Sequence, residues 1–171
     1  MIFATLDSVT INSLERGLPS QPNSANHYIT GLDLHIKNGA IVISMDPDLN
    51  LIEIWKNEAA STEFVNSLVN TWNDLKGFNI VPTIQTIPFN HMNALRNLGF
   101  NDTTDKFLLR LSYSGPLLRL VVSKDSDFWH PTATNKRAYL GDANAPVAKY
   151  VEEYLDIHVS LLPDLIKALE K

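Results

Sequence analysis

Hydrophobic positions along this chain repeat with two different periods. Over 29–37, Leu32, Leu34 and Ile36 alternate with Asp33, His35 and Lys37, a period of two that predicts a strand. Asn38-Gly39 follows as a two-residue hairpin turn. Residues 40–45 read as the returning strand, Asp46-Pro47-Asp48 as a second turn, and 49–55 as a third strand. Together they predict an antiparallel meander. From there the spacing lengthens. Phe64, Val65, Leu68, Val69, Trp72 and Leu75 recur at intervals of three and four, the mark of one helix face. Ser61 or Thr62 can cap this helix, and Gly77 is placed to end it in a left-handed conformation with Phe78 folding back.

Residues 80–87 are β-rich but contain Pro82, and a short helix carrying Met92, Ala94, Leu95 and Leu98 closes on Gly99-Phe100. Phe107, Leu109, Leu111 and Tyr113 alternate again, Gly115-Pro116 turns, and 117–122 is an apolar strand. At the start of the chain, 2–6 reads as a short strand and 9–18 as a short helix, followed by a polar loop over 19–26. Residues 123–145 are polar and turn-rich, interrupted by Phe128-Trp129-His130-Pro131. Pro146 suits a first helical turn ahead of Val147, Tyr150, Val151, Tyr154 and Leu155, and a last helix is expected from Pro163. The expected fold is α/β in the α+β sense: a mixed, mainly antiparallel sheet flanked by helices over 1–123. A loop and helical extension over 124–171 then packs on that domain or on a partner.

Composition narrows the function. The chain has 171 residues, of which 44% are apolar, enough for a buried core without staples. It contains no cysteine, which excludes thiolate metal sites and cysteine nucleophiles. A formal charge of −5 argues against a general nucleic-acid binder, because neutralising phosphates takes a basic face. The N-terminus lacks the charged and apolar regions of a signal peptide, and no apolar run reaches bilayer length. A soluble, cytoplasmic protein is expected.

The order of elements, together with Ala94-Leu95-Arg96-Asn97-Leu98-Gly99-Phe100, resembles the GNAT-type N-acetyltransferase fold over roughly 29–122. That resemblance implies a cofactor strand at 49–55, the long helix at 64–75, a splayed strand at 80–87, and closing strands at 106–113 and 117–122. It also implies a diphosphate loop at 56–62, through backbone N–H groups at the helix start. This stretch has no glycine and places Glu58 and Glu63 where an anion would lie. The family's general-acid tyrosine falls on Leu95, which has no proton to give.

These departures lead to the expectation of a non-catalytic GNAT-like module that binds a protein partner or self-associates. Immunity factors, regulators and structural components, including those of viral particles, all suit it. Its contacts would come from Phe128, Trp129, Lys136, Arg137, Tyr150 and Tyr154, since aromatic and arginine side chains concentrate interface energy. The alternative is a divergent N-acetyltransferase holding acetyl-CoA on the backbone of Ala59, Ala60, Ser61 and Thr62. No catalytic residue and no metal ligand is assigned. Glu53 and Lys56 lie on opposite faces of a strand, and Asp46-Pro47-Asp48-Leu49-Asn50 lacks the glycine and terminal glutamate of a calcium loop. Asp33 and His35 read as a solvated strand face, and His91 is the one histidine singled out for proton transfer.

Overall fold

The computed structural model describes residues 1–18 and 21–171; Pro19 and Ser20, which open the polar loop expected over 19–26, lie outside the described residues. Five strands form one sheet: β1 (Ile2–Leu6), β2 (Ile41–Met45), β3 (Phe78–Ile80), β4 (Arg119–Val122) and β5 (Ile157–Ser160). Their order is β3-β2-β1-β4-β5, and every pairing is parallel, with Ala4 of β1 opposite both Ile43 and Leu120. The mainly antiparallel, GNAT-like sheet expected from the sequence is corrected by this topology. A parallel sheet is covered on both faces, so its strands read as continuous apolar runs. Ile41-Val42-Ile43-Ser44-Met45 is one, buried along its whole length.

Three segments expected as strands are helices. Residues 29–37 belong to α2 (Ala25–Lys37), 49–55 to α3 (Asn50–Glu58) and 106–113 to α6 (Thr103–Ser114). In α2 the buried residues are Tyr28, Leu32 and Ile36, four apart on one face, while Leu34 is 53% exposed. The apparent alternation arises because Leu32 and Ile36 satisfy a period of two and a helical interval at once. Asn38-Gly39 ends that helix: the N–H of Gly39 donates to the Ile36 carbonyl, with φ of 69° at the glycine. Asp46 starts the next one, its carboxylate accepting the N–H groups of Asn50 and Leu51 at 2.9 Å each. Asp102 caps α6 by accepting from the Asp105 N–H at 3.1 Å.

The remaining helices are α1 (Ser8–Arg16), α4 (Thr62–Asp74), α5 (Phe89–Asn97), α7 (Pro146–Leu155) and α8 (Leu162–Leu169). α4 forms as expected, with Ser61 accepting from the Phe64 N–H. Its left-handed terminal residue is Lys76, not Gly77. Gly77 is needed for closeness instead, because a Cβ there would lie 2.5 Å from Ile36 Cγ2. The segment 124–171, expected as a loop and helical extension, supplies the edge strand β5 as well as α7 and α8.

Helix contacts fall into two sets. α1 touches α2 and α3, α3 touches α4, and α2 touches α8; α5 touches α7, and α6 lies against β1, β2 and β4. Right-handed crossovers place these sets on opposite faces of the sheet. The chain winds outward from β1 through β2 to β3, returns, and winds outward the other way through β4 to β5. The winding therefore reverses between β1 and β4. In doubly wound sheets the crevice beyond the carboxyl ends of the strands at that reversal is where ligands bind.

Candidate functional site

At the reversal, β1 ends in Leu6 followed by Asp7, and β4 ends in Val122 followed by Ser123, Lys124 and Asp125. The two strand ends are tied together. Asp7 N–H donates to the Val122 carbonyl at 3.1 Å, and Thr10 Oγ1 donates to the same oxygen at 2.7 Å. Trp55 Nε1 donates to the Leu6 carbonyl at 2.9 Å, and Trp129 Nε1 to the Ser123 carbonyl at 3.1 Å. Two buried indoles thus hold the backbone on either side of the crevice.

The Asp7 side chain is buried and accepts from Ser123 Oγ on one oxygen and from Ser8 Oγ, at 3.2 Å, on the other. Ser123 Oγ in turn accepts the Asp125 N–H at 2.9 Å, and Asp125 accepts the Asp127 N–H at 3.0 Å. From the opposite side, the first turn of α6 delivers Asp105, which is 95% buried by its 5% exposure. One carboxylate oxygen from each of Asp7, Asp105 and Asp125 lies within 4.8 Å of the others. Oxygens bound to a common divalent cation at 2.0–2.6 Å stand roughly 3–5 Å apart. The three carboxylates therefore have the spacing of a cation site.

Their titration reflects burial and mutual crowding. Burial pushes Asp7 up to about 6, against the hydrogen bonds from Ser123 and Ser8 that favour its ionised form. Asp105 is raised further, first by burial and then by the charges of Asp125 and Asp7. Asp125 is also raised by burial, with Lys136 pulling the other way.

Beside the carboxylates opens a cleft of about 700 Å³ lined by Val9, Leu18, Lys124, Ser126, Lys136, Arg137 and Leu140. Its three cations come from the residue after Ser123 and from a single turn of 3₁₀-helix at Lys136–Tyr139. None of the three makes an ion pair among the described residues, where the only pairs are Lys56–Glu53 and His158–Glu152. Lys124 and Ser126 of this lining flank Asp125 in the chain, and Lys136 is close enough to act on its charge, an arrangement that suits an anion bound together with a metal ion.

Of the residues expected from the sequence to make contacts, Lys136 and Arg137 line this cleft. Phe128 and Trp129 do not reach a surface: both are buried, Phe128 packing edge-on against Phe100 at 5.4 Å. Their large apolar area holds the loop after β4 against the core. Tyr150 and Tyr154 lie on α7, stacked at 4.6 Å, and Tyr150 shares a 2.8 Å hydrogen bond with His91 Nδ1. Ala59, Ala60, Ser61 and Thr62 join α3 to α4 rather than a strand to a helix. There the Ser61 N–H already donates to the Glu15 carboxylate at 2.8 Å, and Asn12 Nδ2 to the Ala59 carbonyl at 2.7 Å.

Asp7, Lys124, Asp105 and Asp125 were not anticipated. The signal in the sequence is weak and twofold: 2–6 and 120–122 are largely apolar runs, each followed within three residues by an aspartate. Comparison with protein-family models, with curated proteins and with solved structures gives no match.

Proposed function

We propose that the chain is a divalent-cation-dependent enzyme acting on phosphate monoesters, with its centre at Asp7, Asp105 and Asp125. The observation that carries this reading is the convergence of three carboxylates at the winding reversal of a parallel sheet, beside a cleft whose three cations make no ion pair among the described residues. Hard divalent cations such as Mg²⁺ take oxygen ligands and share their remaining positions with phosphate and water. Bound here, the cation would supply charge for the phosphoryl group and lower the pKa of a coordinated water.

The chain's own residues do the rest. Ser123 and Ser8 fix the Asp7 carboxylate by donating to both of its oxygens. Lys124, Lys136 and Arg137 attract the phosphate dianion and balance charge as it redistributes. In the reaction the water oxygen bonds to phosphorus and the ester P–O bond breaks. One water proton ends on the departing alcohol oxygen, giving an alcohol and hydrogen phosphate. Asp7, ionised and held by its two serine hydrogen bonds, would serve this centre as a cation ligand.

The test is a calorimetric titration with Mg²⁺ and Mn²⁺, paired with a phosphate-release assay on a panel of monoesters. Release that requires the cation, and falls at least 100-fold in Asp125→Asn, is the expected result. Release from no monoester, with no heat of cation binding in the millimolar range, would refute the reading.

A further inference from the structure

The cleft that holds Lys124, Lys136 and Arg137 borders a smaller cavity of about 180 Å³, with Leu18, Lys124 and Leu140 lining both. The remaining wall of the smaller cavity is Thr10, Ser13, Leu161, Leu162 and Pro163. Its two hydroxyls are already engaged. Thr10 Oγ1 donates to the Val122 carbonyl at 2.7 Å and Ser13 Oγ to the Val9 carbonyl at 3.1 Å. What they turn toward the cavity is carbon. The walls come from α1, from the loop that also carries Lys136 and Arg137, and from the start of α8. That loop is seated closely on α8: a Cβ at Gly141, where φ is 82°, would lie 3.2 Å from Leu161 Cδ1.

We infer that the phosphate ester held here has a compact apolar alcohol part, a single six-membered ring or a short branched chain, which occupies this cavity. This rests on the reading of the carboxylate centre given above and narrows it to a substrate class. Three observations converge. Lys124 lines both spaces, so a phosphate beside it places the ester's organic part at the mouth of the smaller cavity. In volume, an apolar cavity of about 150 Å³ holds one benzene ring, so 180 Å³ admits one ring and not a purine nucleoside. In chemistry, a sugar entering it would leave its hydroxyls unpaired against leucine and proline, a large penalty compared with the gain for a hydrocarbon.

Calorimetry with three non-reacting or slowly reacting probes in the presence of Mg²⁺ tests this without relying on turnover. Phenylphosphonate is expected to bind at least tenfold tighter than methylphosphonate, and adenosine 5′-monophosphate no tighter than methylphosphonate. Leu161→Trp, which fills the cavity from the α8 side, should cut the phenyl-to-methyl ratio below threefold. Equal affinity for the two phosphonates, or tightest binding by the nucleotide, overturns the inference and leaves the carboxylate centre standing. Absence of Mg²⁺-dependent binding by every probe removes both.

Discussion

Asp105 is the residue whose position is hardest to account for by folding alone. It sits one turn into α6, next to the cap Asp102, where an acidic side chain favours the helix start. That effect does not require burial beside two further carboxylates, and surface placement would serve it as well. In the metal-free protein its ionisation is opposed by desolvation and by Asp125 and Asp7. With its pKa raised to about 9, Asp105 in metal-free protein at pH 7.5 keeps a proton that the unfolded chain has released, and Asp105→Asn keeps the shape without that cost. It should raise the unfolding free energy at that pH by roughly 1–3 kcal/mol. The same substitution should abolish the stabilisation by Mg²⁺. Urea denaturation with and without the cation measures both; a destabilised variant that still responds to Mg²⁺ would show that Asp105 is structural. Nothing in local spacing announces this residue, because its partners lie 98 positions before it and 20 after it, beyond the ends of two different strands. Lys136 and Arg137, expected from the sequence as contacts for a protein partner, line the cleft.

Among the elements, largely buried apolar strands and the one-faced helix α4 are legible in the sequence, while the one-faced helices α2, α3 and α6 pass for strands. The apolar runs 2–6, 40–45 and 117–122 contain β1, β2 and β4, and the three- and four-residue spacing after Ser61 marks α4. The segment 29–37 misleads because Leu34 is an exposed leucine that completes a false alternation. Over nine residues both periods fit, and only the neighbours arbitrate. β5 is short, carries the exposed His158, and follows a helix directly at Asp156, so no turn signal separates it from α7. The packing of α2 against the end of α4 offers a direct check of this arrangement. In Gly77→Ala the new methyl would meet Ile36 Cγ2 at 2.5 Å and the Trp72 carbonyl at 3.1 Å. A loss of about 1–3 kcal/mol is expected, as for other overpacked sites. Ile36→Leu has no methyl at the Cγ2 position, so the double variant should recover part of that loss. A coupling energy of at least 0.5 kcal/mol in the double-mutant cycle is the expected signature, whereas strict additivity would mean that residues 36 and 77 are not neighbours.

For the molecule as a whole, the direction of winding decides what the carboxylates can do. A meander would have left Asp7 and Asp125 on unrelated turns; the parallel order puts β1 and β4 side by side with both carboxyl ends at one edge. Burying acids at that edge makes global stability depend on pH in a definite direction. The folded pKa of Asp7 is raised from 3.8 to about 6, so between those values the native state holds a proton that the unfolded chain has released. Stability from this group is therefore fully present below 3.8 and lost as pH rises through 6. At roughly 1.4 kcal/mol per pH unit, the interval from 3.8 to 6 amounts to about 3 kcal/mol. Asp105 and Asp125, also raised, act in the same direction. A divalent cation inverts the balance, because it binds the ionised carboxylates and stabilises the native state by about 2.7 kcal/mol at 100 times its Kd. Thermal melts in chelator should show Tm falling between pH 4.5 and 7.5. With saturating Mg²⁺ at matched ionic strength the fall should flatten or reverse above pH 6, where the carboxylates can ionise onto the metal. If the decline is the same in both buffers, the three aspartates do not share a cation, and their burial has to be explained by the fold alone.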